Sequence, residues 1–280
     1  MILVLGLSCQ SNNSTVDDLP AKLVSNGAIY EASKSVVLIK TSYVIQMPDN
    51  QCKFMEHWGT GFFIDNGLLV TAKHVAYPEL FAEDIIVLQS LGYKVENKDI
   101  HIWCNNCNYM ENGLPNTNTA FKLNKDFILD RRPDDSIASF SYTFIDPIIS
   151  ISGSLQKIDP DDTDFCLIKF LNDHKHKPLK LRQVNDSEKG SICYALGFPM
   201  GPLGIEGSIV NATVNAGFIQ KLDKMLRVYT LIEGGLSGGP ILDYNGTVIG
   251  IVSYRTSELK LFAVPSNKII EFLNDTGKGI

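Results

Sequence analysis

The sequence predicts an all-β protein of two halves. Three observations carry that expectation. From Val36 onward the chain is a succession of short runs rich in Val, Ile, Leu and Phe, broken by Gly, Asn and Pro. The same hairpin grammar occurs twice: Asp65-Asn66-Gly67 separates Gly61-Phe62-Phe63-Ile64 from Leu68-Leu69-Val70-Thr71, and Asn245-Gly246 separates Ile241-Leu242 from Val248-Ile249-Gly250-Ile251-Val252. Only residues 267–273, with Ser266 as a plausible N-cap, carry a clear helical pattern.

Taken in order, Met1-Ile-Leu-Val-Leu-Gly-Leu-Ser-Cys9 is apolar and gives way abruptly to a polar stretch through Asp18. This resembles the end of a bacterial lipoprotein signal, with Cys9 as the lipidated residue and residues 10–18 as a tether. That reading places the protein on the cell envelope; an unprocessed apolar N-terminus, and a cytoplasmic protein, is the alternative. Nothing else approaches the roughly 18 apolar residues of a membrane span. Residues 19–35 are mildly helical, and Val36-Val37-Leu38-Ile39 reads as a buried strand. Further strands are expected over 191–196, 208–214, 217–222 and 228–232, with the two halves joined near 172–187.

Between Tyr77 and Ser150 the chain is polar, with weak strand signals at 85–88 and 127–129 and one Cys-x-x-Cys, Cys104 to Cys107. A zinc site needs four ligands, and no second matching pair occurs, so a local disulfide or two free thiols is expected and no metal. Cys52, Cys166 and Cys193 read as core residues.

The chain of 280 residues, 44% hydrophobic and 20% charged, is long enough for one large domain or two smaller ones sharing an interface. A net charge of -6 argues against a phosphate-binding face, so nucleic acid is not an expected partner. The densest basic spots, Arg131-Arg132 and Lys175, Lys177 and Lys180, are flanked by acids and read as solvated surface.

Gly234-Gly235-Leu236-Ser237-Gly238-Gly239-Pro240 presents one hydroxyl on a backbone free to fold tightly. A serine needs a neighbouring base to act as a nucleophile, and the oxyanion formed by its attack needs donors already aimed at it; the N–H groups of Gly235 and Ser237 are candidates. Alone, the stretch reads equally well as a turn between strands. His74, in Val70-Thr71-Ala72-Lys73-His74-Val75, falls just after a strand, and Asp164 just before Phe165-Cys166-Leu167-Ile168. Each has a plain reading as a surface His or a loop acid; together with Ser237 they fit a base, its orienting acid and a nucleophile.

These pieces resemble the chymotrypsin-fold serine proteases, and within them the bacterial Deg/HtrA-type branch. The matching stretches are Gly59-Thr60-Gly61-Phe62-Phe63-Ile64, the His74 and Asp164 segments, Gly235-Leu236-Ser237-Gly238-Gly239-Pro240 and Phe262-Ala263-Val264-Pro265-Ser266, in the family's order and over most of residues 28–273. The resemblance implies two six-stranded antiparallel β-barrels with the triad His74, Asp164 and Ser237 in the cleft between them, a short C-terminal helix, no cofactor and polypeptide substrates. It divides the chain into residues 1–18, a first barrel over 19–172 and a second over 173–280. The His74 to Asp164 separation exceeds the family's usual gap, which implies an insertion near 90–145. Leu236 stands where trypsin-like zymogens carry an Asp that pairs with a new N-terminus, so activation by that ion pair is not expected. With the sequence ending at Ile280, the PDZ domain that Deg/HtrA proteins usually add is not expected.

The same resemblance assigns the substrate pocket. Its floor is Leu231, followed by Ile232, and its far wall comes from Ser253, Tyr254 and Arg255, the Ser253 backbone pairing with an extended substrate. Neither floor residue can pair with a buried Lys or Arg, so cleavage after Val, Ala, Leu or Ile is expected, with smaller residues favoured if Arg255 narrows the entrance. A protease-fold binding module without turnover is the alternative to a serine endopeptidase.

Overall fold

The computed structural model describes residues 26–65, 68–78, 88–105, 110–111, 114–115, 121–123, 128–130, 164–169, 177–199, 201, 210–230, 234–257 and 259–275. Cys9, Cys107, Leu231, Ile232 and the Asn66-Gly67 turn lie outside them. A short helix α1 (Gly27–Ser33) opens the described chain, capped by the Asn26 side chain, which accepts from the Ala28 N–H at 3.0 Å.

The first half contains β1 (Val36–Gln46), β2 (Cys52–Asp65), β3 (Leu68–Thr71), the single helical turn α2 (Lys73–Ala76), β4 (Lys94–Cys104), the hairpin of β5 (Met110–Glu111) and β6 (Leu114–Pro115), then β7 (Phe121–Leu123), β8 (Ile128–Asp130) and β9 (Cys166–Lys169). Apart from the β5–β6 hairpin, its strands form a seven-stranded antiparallel sheet in the order β7-β4-β1-β2-β3-β9-β8. A flat sheet of that width would hold its edges roughly 29 Å apart. Yet the edge strands β7 and β8 are joined between Leu123 and Ile128, a span that the chain can bridge over at most about 18 Å. The sheet therefore curls into a half-barrel. Residues 94–104, inside the segment expected as an insertion, form β4, which pairs with β1 along nearly its whole length.

The second half contains β10 (Ile192–Gly197), β11 (Thr213–Leu222), β12 (Leu226–Thr230), β13 (Pro240–Leu242), β14 (Val248–Ser257) and β15 (Lys260–Pro265), closed as β10-β11-β12-β15-β14-β13. The Asn245-Gly246 hairpin forms as read from the sequence: Gly246, at φ 77, donates to Asp243 O at 3.0 Å, and Asp243 N donates to Thr247 O at 2.9 Å. The chain crosses between halves near 179–184, where Leu179 N donates to Phe63 O and Arg182 N to Val248 O.

Burial explains why β1 reads as a continuous apolar run. Val37 and Ile39 face the core of the first half with Phe63, Leu69, Ile100 and Ile168, while Val36 and Leu38 face a shared core with Phe62, Trp103, Tyr194, Leu196 and Phe272. A strand buried on both faces has no polar side to show. The second barrel has its own core, including Cys193, Leu226, Leu236, Ile249 and Val252.

Two expectations are corrected. Cys52 is exposed, because it begins β2 where the β1–β2 ribbon extends past the core, and it pairs with Gln46 at the ribbon's far end. Helix α3 (Ser266–Asp275) starts at Ser266 rather than after it, and the Ser266 hydroxyl donates to the Arg182 carbonyl instead of accepting from its own helix. Cys104, Cys166 and Cys193 are buried and form no disulfide; burial pushes the Cys193 thiol up to about 12, which leaves it unreactive. No described helix is long and apolar enough to cross a membrane.

Candidate active site

Strands β3 and β9 are antiparallel neighbours with Thr71 opposite Cys166. His74 follows the end of β3 and Asp164 precedes the start of β9, so both side chains emerge at the same end of the sheet. The turn α2 is tied down by Thr41, whose hydroxyl donates to Val75 O at 2.7 Å, and by Tyr77 N donating to Lys73 O at 2.6 Å. His74 Nδ1 lies 2.9 Å from Asp164 Oδ2, and the His74 backbone N–H donates to Oδ1 at 3.4 Å. One carboxylate thus fixes both the ring and the backbone that carries it. The Asp164 side chain is buried, while His74 keeps 20% of its side-chain surface exposed.

The electrostatics follow from that geometry. Burial works against the imidazolium, but the charge and hydrogen bond of Asp164 outweigh it, so His74 titrates above its ordinary value. Burial also works against the Asp164 carboxylate, and the charge and hydrogen bond of His74, then the Ser253 hydroxyl, hold it below its ordinary range. The two shifts describe one coupled pair.

Ser237 sits in a tight turn. Gly239 N donates to Leu236 O at 2.9 Å, with Gly238 at φ 84, which is a type II turn with Ser237 at its first central position. Gly238 is required twice over: its φ is left-handed, and an added Cβ would lie 2.1 Å from Thr60 O. Because the Leu236 carbonyl points into the turn, the N–H on the other side of that trans peptide, that of Ser237, points out of it. Gly235 is also left-handed, at φ 99. Leu236 is buried in the second barrel's core with Cys193, Ala195 and Val252, so apolar packing anchors the loop where an ion pair was excluded by sequence.

Ser253 joins the two parts of the site. Along β14 and β15, Val252 pairs with Ala263 and Tyr254 with Phe262, which leaves Ser253 as the extra residue of a β-bulge. Bulges re-aim side chains. Here the Ser253 hydroxyl donates to Asp164 Oδ2, while its carbonyl accepts from Ser237 Oγ at 3.2 Å. Sequence reading gave Ser253 only a backbone role; the bulge that turns its hydroxyl inward is a property of strand pairing. Of the other expected pocket residues, Tyr254 is half-buried and stacked on Phe262 at 4.7 Å, and Arg255 is exposed.

Residues 59–251 match the trypsin-like peptidase domain, and the chain belongs to that family. Among relatives, it is 32% identical over 117 residues to serine protease HTRA4 of Mus musculus, covering 40% of this chain and 24% of that one. It is 27% identical over 125 residues to serine protease Do-like HtrA of Bacillus subtilis, covering 38% and 26%. The chain thus spans about a quarter of the length of these curated relatives. Among solved structures, the active form of the Rv3671c protease from M. tuberculosis aligns with a TM-score of 0.55 at 17% identity, covering 98% of this chain and 95% of that one. The HtrA-type protease AlgW with decapeptide aligns with a TM-score of 0.53 at 17% identity, covering 89% and 66%. These likenesses establish the chymotrypsin-like fold.

Proposed function

We propose that this protein is a serine endopeptidase in which His74, Asp164 and Ser237 act as the triad. The observation that carries the reading is the buried Asp164 bonded to Nδ1 of His74 and joined through Ser253 to Ser237. Nδ1 is taken by the carboxylate, which leaves Nε2 as the basic nitrogen on the ring.

In the proposed reaction the Ser237 hydroxyl leaves the Ser253 carbonyl, gives its proton to Nε2 and attacks the scissile carbonyl carbon. The carbonyl oxygen takes the charge and is met by the N–H groups of Gly235 and Ser237. His74 then returns the proton to the leaving amine as the C–N bond breaks, leaving an acyl ester on Ser237. Water repeats the sequence with His74 as base, releasing the acid and restoring the hydroxyl. Asp164 stays ionised throughout and stabilises the imidazolium.

The reading extends to substrates. AlgW was solved with a decapeptide, in keeping with polypeptide chains as the substrate class. We assign the pocket floor to Leu231 and Ile232 and expect cleavage after Val, Ala, Leu or Ile. Leu236 favours an enzyme over a binding module, because its buried side chain anchors the loop without any charged partner. Hydrolysis of a peptide library tests the substrate assignment: small aliphatic residues before the cut support it, and a dominant preference for Lys or Arg overturns the placement of Leu231.

A further inference from the structure

Thr60 lies on β2, in the first half, yet its hydrogen bonds reach the second. It is fully buried, and each of its polar atoms is engaged. Its N–H donates to Ser237 O at 2.8 Å, and its hydroxyl donates to Gly235 O at 2.8 Å and accepts from Phe198 N at 3.1 Å. Its carbonyl accepts from the Thr71 hydroxyl at 2.7 Å, on the strand that leads to His74. A hydroxyl has one proton, and here that proton is committed to Gly235.

These contacts fix the backbone around Ser237 peptide by peptide. The described peptides are trans, so fixing a carbonyl also fixes the direction of the N–H that follows it. The plane after Ser237 is clamped from both halves, with Ser237 O on Thr60 and Gly238 N donating to Val252 O at 2.7 Å. The plane after Leu236 is held by the turn bond from Gly239. The plane after Gly235 is held by the Thr60 hydroxyl. Gly235 needs such a restraint more than its neighbours. It is a glycine at φ 99, preceded by the exposed Gly234, around whose backbone no atom stands within 4 Å of an added Cβ. A glycine in that setting rotates readily, and donors for an oxyanion must be aimed before the charge forms.

We propose that Thr60 is a positioning residue for the oxyanion donors: its hydroxyl pins the Gly235 carbonyl from the opposite half and so anchors the one peptide plane that lies between the planes carrying the Gly235 and Ser237 N–H groups. The same hydroxyl ties this loop to Phe198. Two residues away on the same face of β2, Trp58 receives Gly201, whose added Cβ would lie 2.9 Å from Trp58 Cβ. One face of β2 therefore registers both the 198–201 stretch and the Ser237 turn against the sheet that carries His74. This inference rests on the endopeptidase reading for its catalytic consequence, but not for its geometry.

The test uses Thr60→Val, which keeps the shape and removes both side-chain hydrogen bonds, beside Thr60→Ser, which keeps them. In Thr60→Val, kcat falls about 10- to 100-fold, below the loss for deleting a whole oxyanion donor, and KM stays within about threefold. Affinity for a peptide aldehyde, whose adduct with Ser237 places an oxyanion at these donors, falls in parallel with kcat. The acid limb of the pH profile does not move, since the His74–Asp164 pair is untouched, and Thr60→Ser stays within about threefold of wild type. If Thr60→Val does not fold, Thr60→Cys, a weaker donor of similar size, shows the same pattern with a smaller loss. Unchanged kcat in Thr60→Val, or equal losses in Thr60→Val and Thr60→Ser, overturns the proposal. If the wild type itself neither cleaves nor labels, the endopeptidase reading has failed, and crystal structures of wild type and Thr60→Val decide the positioning claim. A redirected Gly235 N–H in the variant supports it; an unchanged one overturns it.

Discussion

The Ser253 hydroxyl donates to Oδ2 of Asp164, the same oxygen that holds Nδ1 of His74. Asp164 is thus gripped from the second barrel while it orients a histidine of the first. A hydrogen bond to a buried charged group is worth about 1.5–3 kcal/mol, so Ser253→Ala is expected to lower kcat/KM roughly 10- to 100-fold. The loss should fall mainly on kcat, because the Ser253 backbone remains. Steady-state kinetics on one peptide substrate separate the two.

The pH dependence follows from the raised titration of His74. The base must be neutral in the free enzyme, so the acid limb of kcat/KM should have its inflection above the ordinary 6.5. In Asp164→Asn the raising charge is gone and burial remains, so the inflection should drop below 6.5, with activity falling on the order of 10⁴-fold. A rate profile of both proteins between about pH 5 and 9 measures the shift.

Stability carries the same signature with its own signs. The raised His74 contributes stability that is fully present below 6.5 and is lost as pH rises through its folded value. The lowered Asp164 contributes stability present above 3.8 and lost as pH falls through its folded value. The Tm difference between Ser237→Ala and Ser237→Ala/Asp164→Asn should therefore be largest between those two values, as calorimetry across pH would register.

The Ser237 turn predicts a contrast among glycines. Gly238→Ala places a Cβ 2.1 Å from Thr60 O and 2.3 Å from the Thr71 hydroxyl at a left-handed φ, and should unfold the junction or cost more than about 4 kcal/mol. Gly190→Ala is also left-handed but meets nothing within 4 Å, so only the φ penalty of about 1–2 kcal/mol applies. Denaturant midpoints of the two variants test it.

Because a triad acts as a unit, Ser237→Ala, His74→Ala and the double mutant should each lose on the order of 10⁴-fold or more, and to nearly the same degree. A double mutant worse by the product of the two single losses would mean that the residues do not share one mechanism.

What could be read from the sequence divides along a physical line. His74, Asp164 and the Gly235–Pro240 stretch stand out because their chemistry is local: a polar residue at a strand end, glycines where the backbone turns left-handed. The Asn245-Gly246 hairpin and the two-faced burial of β1 are likewise written in short-range pattern. The inward hydroxyl of Ser253 is not, because it arises from a register mismatch between β14 and β15. Nor does the sequence mark a role for Thr60, because its partners Gly235, Ser237 and Phe198 are distant in sequence and meet it only when the two halves pack. The strand at 94–104 looks like part of an insertion for the same reason: its polar composition hides a pairing with β1 that long-range geometry decides.

An activated Ser237 nucleophile is read out by covalent labelling. The folded wild-type protein is treated with a fluorophosphonate and examined by intact mass and peptide mapping. One adduct is expected, on Ser237, abolished in Ser237→Ala and strongly slowed in His74→Ala. Folded wild-type protein that takes no label, or takes it at another residue, would mean that Ser237 is not the nucleophile.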